Sequence, residues 1–124
     1  MLTSLIRDSS VWRVPGGAAV AWVRMGEGNV DIDGYVRKYE QLCPGRALSL
    51  EVIVTPPRNY PYLDANFWEP FQTTPAWEFA RFLKLAENGK PHPNDLPVSK
   101  EMAPQKERED VEASLRYAHK LLGL

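Results

Sequence analysis

The sequence predicts an α/β fold in which two parallel strands are joined through a helix. Residues 47–54 are aliphatic and β-branched and precede two prolines, a pattern typical of a buried strand. Residues 2–6 form a shorter apolar run, and an amphipathic segment lies between the two runs. A strand–helix–strand order implies parallel strands and a right-handed crossover. Parallel strands are buried on both faces, which agrees with the apolar character of residues 47–54.

Glu51 places a carboxylate inside this apolar run. Because strand side chains alternate, Glu51 shares one face with Ala47, Ser49 and Ile53, while leucines and valines occupy the other. An ionised carboxylate is costly to bury without a partner, so we expect a metal ion, a basic side chain or a substrate hydroxyl to meet it. The alternative is an edge strand whose Glu51 faces water.

The helix between the two strands begins at Asp31 or Asp33, since either residue is a good N-cap. Its apolar side chains recur at helical spacing, and a Pro-Gly pair ends it. The connection before it, residues 9–30, contains an apolar stretch at 18–23. That stretch is either a short strand or a loop.

The second half of the chain is divided by prolines, most of which follow residue 55. An aromatic loop is expected over 56–71, a helix from Pro75 to the glycine at 89, and a polar tether over 90–104 in which His92 lies on the surface. A last helix is expected over 104–122. Its narrow apolar seam consists of Val111, Leu115, Ala118 and Leu122.

Bulk composition excludes several classes of protein. Fifteen basic and sixteen acidic residues give a net charge of −1, so no electrostatic case for binding nucleic acid or an anionic membrane arises. The single cysteine excludes an internal disulfide and a cysteine-rich zinc site. No apolar stretch approaches the ~20 residues that span a bilayer, and the N-terminus lacks the pattern of a signal peptide. We therefore expect a cytoplasmic protein.

One ordered series of motifs resembles a known family. Residues 25–32 are Met-Gly-Glu-Gly-Asn-Val-Asp-Ile, and the amphipathic helix and then Leu-Ser-Leu-Glu at 48–51 follow. This series resembles the C-terminal signature of the sugar phosphate isomerase/epimerase family of xylose isomerase-like TIM barrels. The resemblance implies that residues 1–89 are the last βα units of a TIM (β/α)8 barrel, a partial barrel, and that residues 90–124 are a proline-rich tether and a C-terminal helical extension. Since a TIM barrel has about 250 residues, it also implies a C-terminal fragment.

The resemblance assigns roles to individual residues. It makes Glu51 the strand-end carboxylate that binds a divalent metal (Mn, Mg or Zn in the full-length form) and takes part in catalysis. Arg7 would bind substrate, and Asp8 would hold the loop beside the site. Glu27, in a glycine turn, is a further substrate-binding candidate, although most acids in such turns are solvated. The family's metal-binding His or Gln is replaced by Leu5, which cannot ligate a metal.

Two functions from different classes follow. The resemblance implies metal-assisted proton transfer on a sugar or sugar-phosphate substrate in the full-length form, with this chain alone inactive. The alternative is a non-catalytic interaction module, or a truncated remnant, that acts through its aromatic loop and terminal helix. Such a module binds a partner protein or forms a homo-oligomer.

Overall fold

The computed structural model describes residues 3–92 and 99–124, and these form five strands, three α-helices and one 3₁₀ helix. The strands are β1 (Thr3–Ile6), β2 (Asp8–Val14), β3 (Gly17–Val23), β4 (Ala47–Leu50) and β5 (Arg58–Tyr60). The α-helices are α1 (Ile32–Leu42), α2 (Ala76–Asn88) and α3 (Ala103–Leu122), and the 3₁₀ helix is Ala65–Phe71. In the described ranges no helix combines the length and the apolar character needed to cross a bilayer.

The strands belong to two separate sheets. β1 and β4 pair in parallel, which confirms the predicted parallel pairing of the two strands. The predicted buried strand over 47–54 is only partly correct, because β4 ends at Leu50 and none of residues 47–54 is buried. β2, β3 and β5 form an antiparallel sheet in the order β2–β3–β5. The predicted partial TIM barrel is therefore wrong: between them the described strands make a two-stranded parallel sheet and a three-stranded antiparallel one, with no barrel units.

The physical reason is the segment between β1 and α1, which forms a β-hairpin. β2 and β3 pair along their whole length, from Asp8 opposite Val23 to Val14 opposite Gly17. Gly16 in the turn has a φ of 83°, a left-handed conformation that favours glycine. The hairpin satisfies its backbone hydrogen bonds locally, so this part of the chain builds its own sheet and does not extend the parallel one.

Three clusters form the core. The first packs the parallel sheet against α1 and α3, and its buried members are Ile6, Met25, Ile32 and Val36. The second packs the hairpin against α2 and the aromatic loop, around Val11, Ala18, Tyr62 and Ala86. The third lies on the opposite face of the hairpin and contains Trp12, Ala19, Ala21 and Val23.

The aromatic loop is part of this core. The Trp68 ring lies 4.9 Å from the Phe79 ring of α2, perpendicular to it, and Trp68 Nε1 donates a hydrogen bond of 2.8 Å to the carbonyl of Tyr62. The Tyr62 ring lies 5.1 Å from the same Phe79 ring. Edge-to-face pairs of this kind stabilise a cluster beyond the apolar area that they bury. The loop is therefore packed on α2.

The observed helix bounds agree with those predicted from the sequence. The predicted tether can be compared with the structure only in part. α1 begins at the predicted N-cap, where Asp31 Oδ1 accepts a hydrogen bond of 2.9 Å from the Gly34 amide. α3 covers the predicted last helix. The predicted tether falls partly on residues 93–98, which lie outside the described residues. His92 has 12% of its side chain exposed, so the prediction of a surface histidine is wrong.

Candidate functional site

Arg7 and Glu51 meet at the carboxyl ends of the two parallel strands. Each follows the last residue of its strand, and the register places Ile6 opposite Leu50. The Glu51 amide continues the ladder by donating a hydrogen bond of 2.9 Å to the Ile6 carbonyl. Arg7 Nη2 donates to Glu51 Oε2 in a close ion pair. Parallel pairing thus brings together two residues that are 44 positions apart.

The pair is half-buried and bounded by an aromatic ring. The side chains of Arg7 and Glu51 are 27% and 35% exposed. The guanidinium carbon of Arg7 lies 3.7 Å from the centroid of the Trp22 ring, a cation–π contact. Arg7 Nε is buried and has no hydrogen-bond partner among the described residues. One donor of the guanidinium group is therefore free at the buried side of the site.

A cleft lies beside the residues that follow Glu51, but neither Arg7 nor Glu51 lines it. It has a volume of about 330 Å³ and lies between the chain that follows Glu51 and the first half of α3. Its lining includes Val52, Val54, Lys106 and Asp110. Small-molecule sites have volumes of about 300–1,000 Å³. The cleft is therefore large enough for a monosaccharide.

Asp8 is buried and holds the glycine turn after β3. Its Oδ2 accepts hydrogen bonds from the amides of Gly26 (2.8 Å) and Gly28 (3.2 Å), and its Oδ1 accepts one of 2.7 Å from the Ser9 amide. Burial raises the pKa of the Asp8 carboxyl, and the three amide hydrogen bonds lower it in part. Asp8 thereby fixes the turn that contains Glu27.

Glu27 belongs to a second group of charges. Its Oε2 lies 3.3 Å from His92 Nε2, and its Oε1 lies 4.0 Å from Arg24 Nη1. Arg24 Nε in turn donates a hydrogen bond of 2.6 Å to Asp110 Oδ1 on α3, and this bond raises the pKa of Arg24. Within the described part of the chain, Glu27 contacts these residues and not Glu51. The structure brings Arg7 and Glu51 together and places Glu27 in a different ion-pair network.

The surroundings of Glu51 do not fit a divalent metal. Its carboxylate faces the guanidinium cation of Arg7, and a metal at the same oxygen would have to displace that cation. Residues 3–92 and 99–124 contain no group of three His, Cys, Asp or Glu side chains that could hold a metal ion. Leu5, at the position where the resemblance expects a ligand, has 64% of its surface exposed.

Two members of these sites were not predicted from the sequence. Trp22 lies in the apolar stretch at 18–23, whose pattern fits either a strand or a loop, and His92 lies in the predicted tether. Trp22 reaches Arg7 only because β3 folds back along β2. Strand alternation over residues 18–23 could have placed Trp22 on one face of a hairpin, but no sequence signal joins His92 to Glu27.

Comparison with known proteins gives no assignment, since no family model, curated protein or solved structure matches this chain.

Proposed function

We propose that this chain binds a sugar or sugar derivative at the Arg7–Glu51 pair and takes part in its isomerisation or epimerisation. The observation that carries the proposal is the meeting of a carboxylate and a guanidinium group at the carboxyl ends of adjacent parallel strands. In α/β folds, ligands bind at these strand ends. The resemblance of residues 25–51 to a family of sugar isomerases and epimerases supports the same substrate class.

Glu51 is the proton-transfer group in this proposal. A carboxylate takes the proton from the carbon beside a sugar carbonyl, and the electron pair moves onto the carbonyl oxygen as an enediolate forms. Return of the proton to the former carbonyl carbon, with transfer of the hydroxyl proton from the other oxygen to the former carbonyl oxygen, isomerises the sugar. Addition of a solvent proton to the opposite face of the carbon that lost its proton epimerises it, and the carbonyl group forms again. Such a base has to approach its substrate, and the partial exposure of Glu51 permits that approach.

Arg7 binds the oxygen on which charge develops. Guanidinium N–H groups stabilise an oxyanion by charge-assisted hydrogen bonds, and they do so more strongly where water is excluded. The guanidinium group supplies the donors, and the contact with Trp22 shields it from water. In this proposal Glu51 transfers the proton and Arg7 stabilises the developing charge, and no step is assigned to a metal ion.

Binding measurements test the substrate class. We expect calorimetry with a panel of aldoses, ketoses and their phosphates to detect a ligand whose affinity falls at least about tenfold in Arg7→Met, the loss of one charge-assisted hydrogen bond. The matched control is the exposed ion pair between Arg13 and Glu87, which lies outside the site. Equal losses in Arg7→Met and Arg13→Met, or no ligand in the panel, would overturn the proposal.

Solvent exchange tests the chemical role of Glu51 separately. In D₂O, the bound sugar should incorporate deuterium at the carbon beside its carbonyl, as followed by proton NMR. Glu51→Gln should abolish the incorporation while the sugar still binds, and Glu87→Gln should leave it unchanged. Incorporation at the wild-type rate in Glu51→Gln would remove Glu51 from the reaction, even if the binding site were correct.

The proposed location is the cytoplasm. The unpaired Cys43 supports it, because extracellular domains of this size commonly rely on disulfides.

A further inference from the structure

The aromatic side chains that pack on α2 leave a cavity between them. Seven aromatic residues and Thr74 line this aromatic cavity, which has a volume of about 230 Å³. Two of its lining residues, Tyr60 and Phe71, are 37% and 43% exposed, so the aromatic cavity is open to solvent. An apolar cavity of about 150 Å³ is already large enough to bind benzene. The aromatic cavity therefore has room for a small ligand.

The rings that line the aromatic cavity stand at steep angles to one another. The Phe67 ring is inclined at 87° to the Tyr60 ring and at 88° to the Trp68 ring. The Trp68 ring is inclined at 78° to the Phe71 ring. The centroids of these pairs lie between 5.2 and 6.5 Å apart, so one small ligand can contact several rings at once. Because the face of an aromatic ring is negative, such a ligand is bound more tightly when it is a cation.

The segment that supplies most of these rings is acidic. Residues 59–80 contain Asp64, Glu69 and Glu78 and no Lys, Arg or His, which gives a net charge of −3. Arg58 and Arg81 flank the segment, and neither of them lines the aromatic cavity. A local field of this sign raises the concentration of cations near the cavity and lowers that of anions. Charge complementarity therefore also favours a cationic ligand.

The lining of the aromatic cavity favours a cation that is weakly hydrated. Among the described residues that line it there is no carboxylate. A primary ammonium group would lose water there without gaining a charged partner, which is costly. A quaternary ammonium group has no N–H to satisfy, and aromatic rings bind it through its positive charge. Its methyl groups also bury apolar surface against the rings.

We propose that the aromatic cavity binds a small quaternary ammonium compound of the choline type, with its trimethylammonium group among the rings. The ligand carries no carboxylate, because the acidic residues of the segment would repel one. The inference does not depend on the sugar-binding proposal, since the aromatic loop and α2 form the cavity and the sugar site lies at the ends of β1 and β4. Either site can fail its test without affecting the other.

NMR titration of the whole chain at constant ionic strength tests the ligand class. Choline chloride should shift the aromatic signals of Phe67, Trp68 and Phe71, with half-saturation at about 1 mM. The uncharged analogue, in which carbon replaces the nitrogen of choline, should bind at least about tenfold more weakly. Equal binding of this analogue would overturn the proposal, as would unchanged signals at about 50 mM choline, well above the expected midpoint.

The acidic segment is tested with glycine betaine, which has the same trimethylammonium group and a carboxylate. It should bind more weakly than choline, and tighter binding of betaine would contradict the proposed ligand class. A trimethyl-lysine peptide distinguishes a free ligand from a modified protein. Binding of the peptide without binding of choline would overturn a small-molecule ligand.

Phe71→Leu tests the contribution of a ring, because leucine keeps an apolar side chain and removes the aromatic face. It should weaken choline binding at least about fivefold. Trp77→Leu is the matched control, since Trp77 is an exposed aromatic residue of α2 that does not line the aromatic cavity. Unchanged affinity in Phe71→Leu, or an equal loss in both variants, would overturn the proposal. The comparison of ligands on the wild-type chain stands even if a variant fails to fold.

Discussion

The two sheets of this protein differ in how their strands are brought together and packed. The antiparallel sheet is built on a hairpin of two seven-residue strands that pair along their whole length, with Ala18 and Ala21 completely buried. The parallel sheet has two four-residue strands that are far apart in the chain, and it ends in the half-exposed Arg7–Glu51 pair. The hairpin pairs strands that are adjacent in the chain and packs on α2, whereas the parallel sheet joins distant strands and packs on α1 and α3. The Arg7–Glu51 pair places the proposed chemistry at the parallel sheet, where local stability is expected to be lower than in the hairpin.

The largest expected effect is in the hairpin sheet. Trp12→Ala should cost about 3–5 kcal/mol of the free energy of unfolding, because it empties a large part of the third core cluster. Trp77, which is 59% exposed, provides the control, and Trp77→Ala should change stability by about 0.5 kcal/mol or less. Urea denaturation followed by circular dichroism measures both. Equal losses in the two variants would show that the hairpin does not dominate stability.

Loss of the Asp8 hydrogen bonds to the glycine turn should have an intermediate effect on stability. Asp8→Asn keeps one acceptor oxygen but presents an amide to N–H groups that need a second acceptor, so we expect a loss of about 1–3 kcal/mol in the free energy of unfolding. Asp8→Ala should cost at least as much. Amide hydrogen exchange should show faster opening at Gly26 and Gly28 in both variants. Unchanged exchange there would contradict the role of Asp8 in holding the turn.

The contact that holds α3 over the parallel sheet should have the smallest effect, about 1 kcal/mol for Tyr117→Phe. The hydrogen bond to Asp33, followed by burial, raises the pKa of Tyr117 to about 12. The folded protein therefore retains a proton that the unfolded chain loses above its normal tyrosine pKa of 10.0. Stability from this bond is complete below pH 10, and it is lost as the pH rises from about 10 to about 12.

Stability against pH in the wild type and in Tyr117→Phe measures this effect. The difference between the two proteins should be constant up to pH 10 and should shrink above it. Tyr35→Phe is a control, because the Tyr35 hydroxyl makes an exposed contact with Ser4. A constant difference across the alkaline range would contradict the assigned cause.

The sequence predicts the three α-helices and the parallel one of the two sheets. Asp31 at the start of α1 and the glycine that follows α2 are local signals, and the bounds agree with them. The parallel pairing followed from strand–helix–strand order. Parallel pairing also brings Arg7 close to Glu51. The apolar sequence around Glu51 predicts that its carboxylate has a partner, and Arg7 is one of the kinds of partner expected.

The hairpin was missed for a physical reason. Residues 18–21 are Ala-Ala-Val-Ala, and alanine is small enough to be buried on either face, so the strand lacks the alternation that marks a half-buried sheet. The Pro-Gly turn signal before it was present, but a turn alone does not define the strands on either side. The charged network of Glu27 and His92 depends on contacts between distant segments, which no local pattern encodes.

The binding site itself can be observed most directly through the Arg7 side chain. A nitrogen-15 NMR titration with the sugar and sugar-phosphate panel should shift the Arg7 Nε–H signal and the backbone signals of residues 6–8 and 50–55, because a bound ligand changes the surroundings of the guanidinium group. Signals from the hairpin turn at residues 15–17 should not move. Shifts confined to other parts of the molecule, or an Arg7 signal that remains unchanged at saturation, would contradict a sugar site at the ends of the parallel strands.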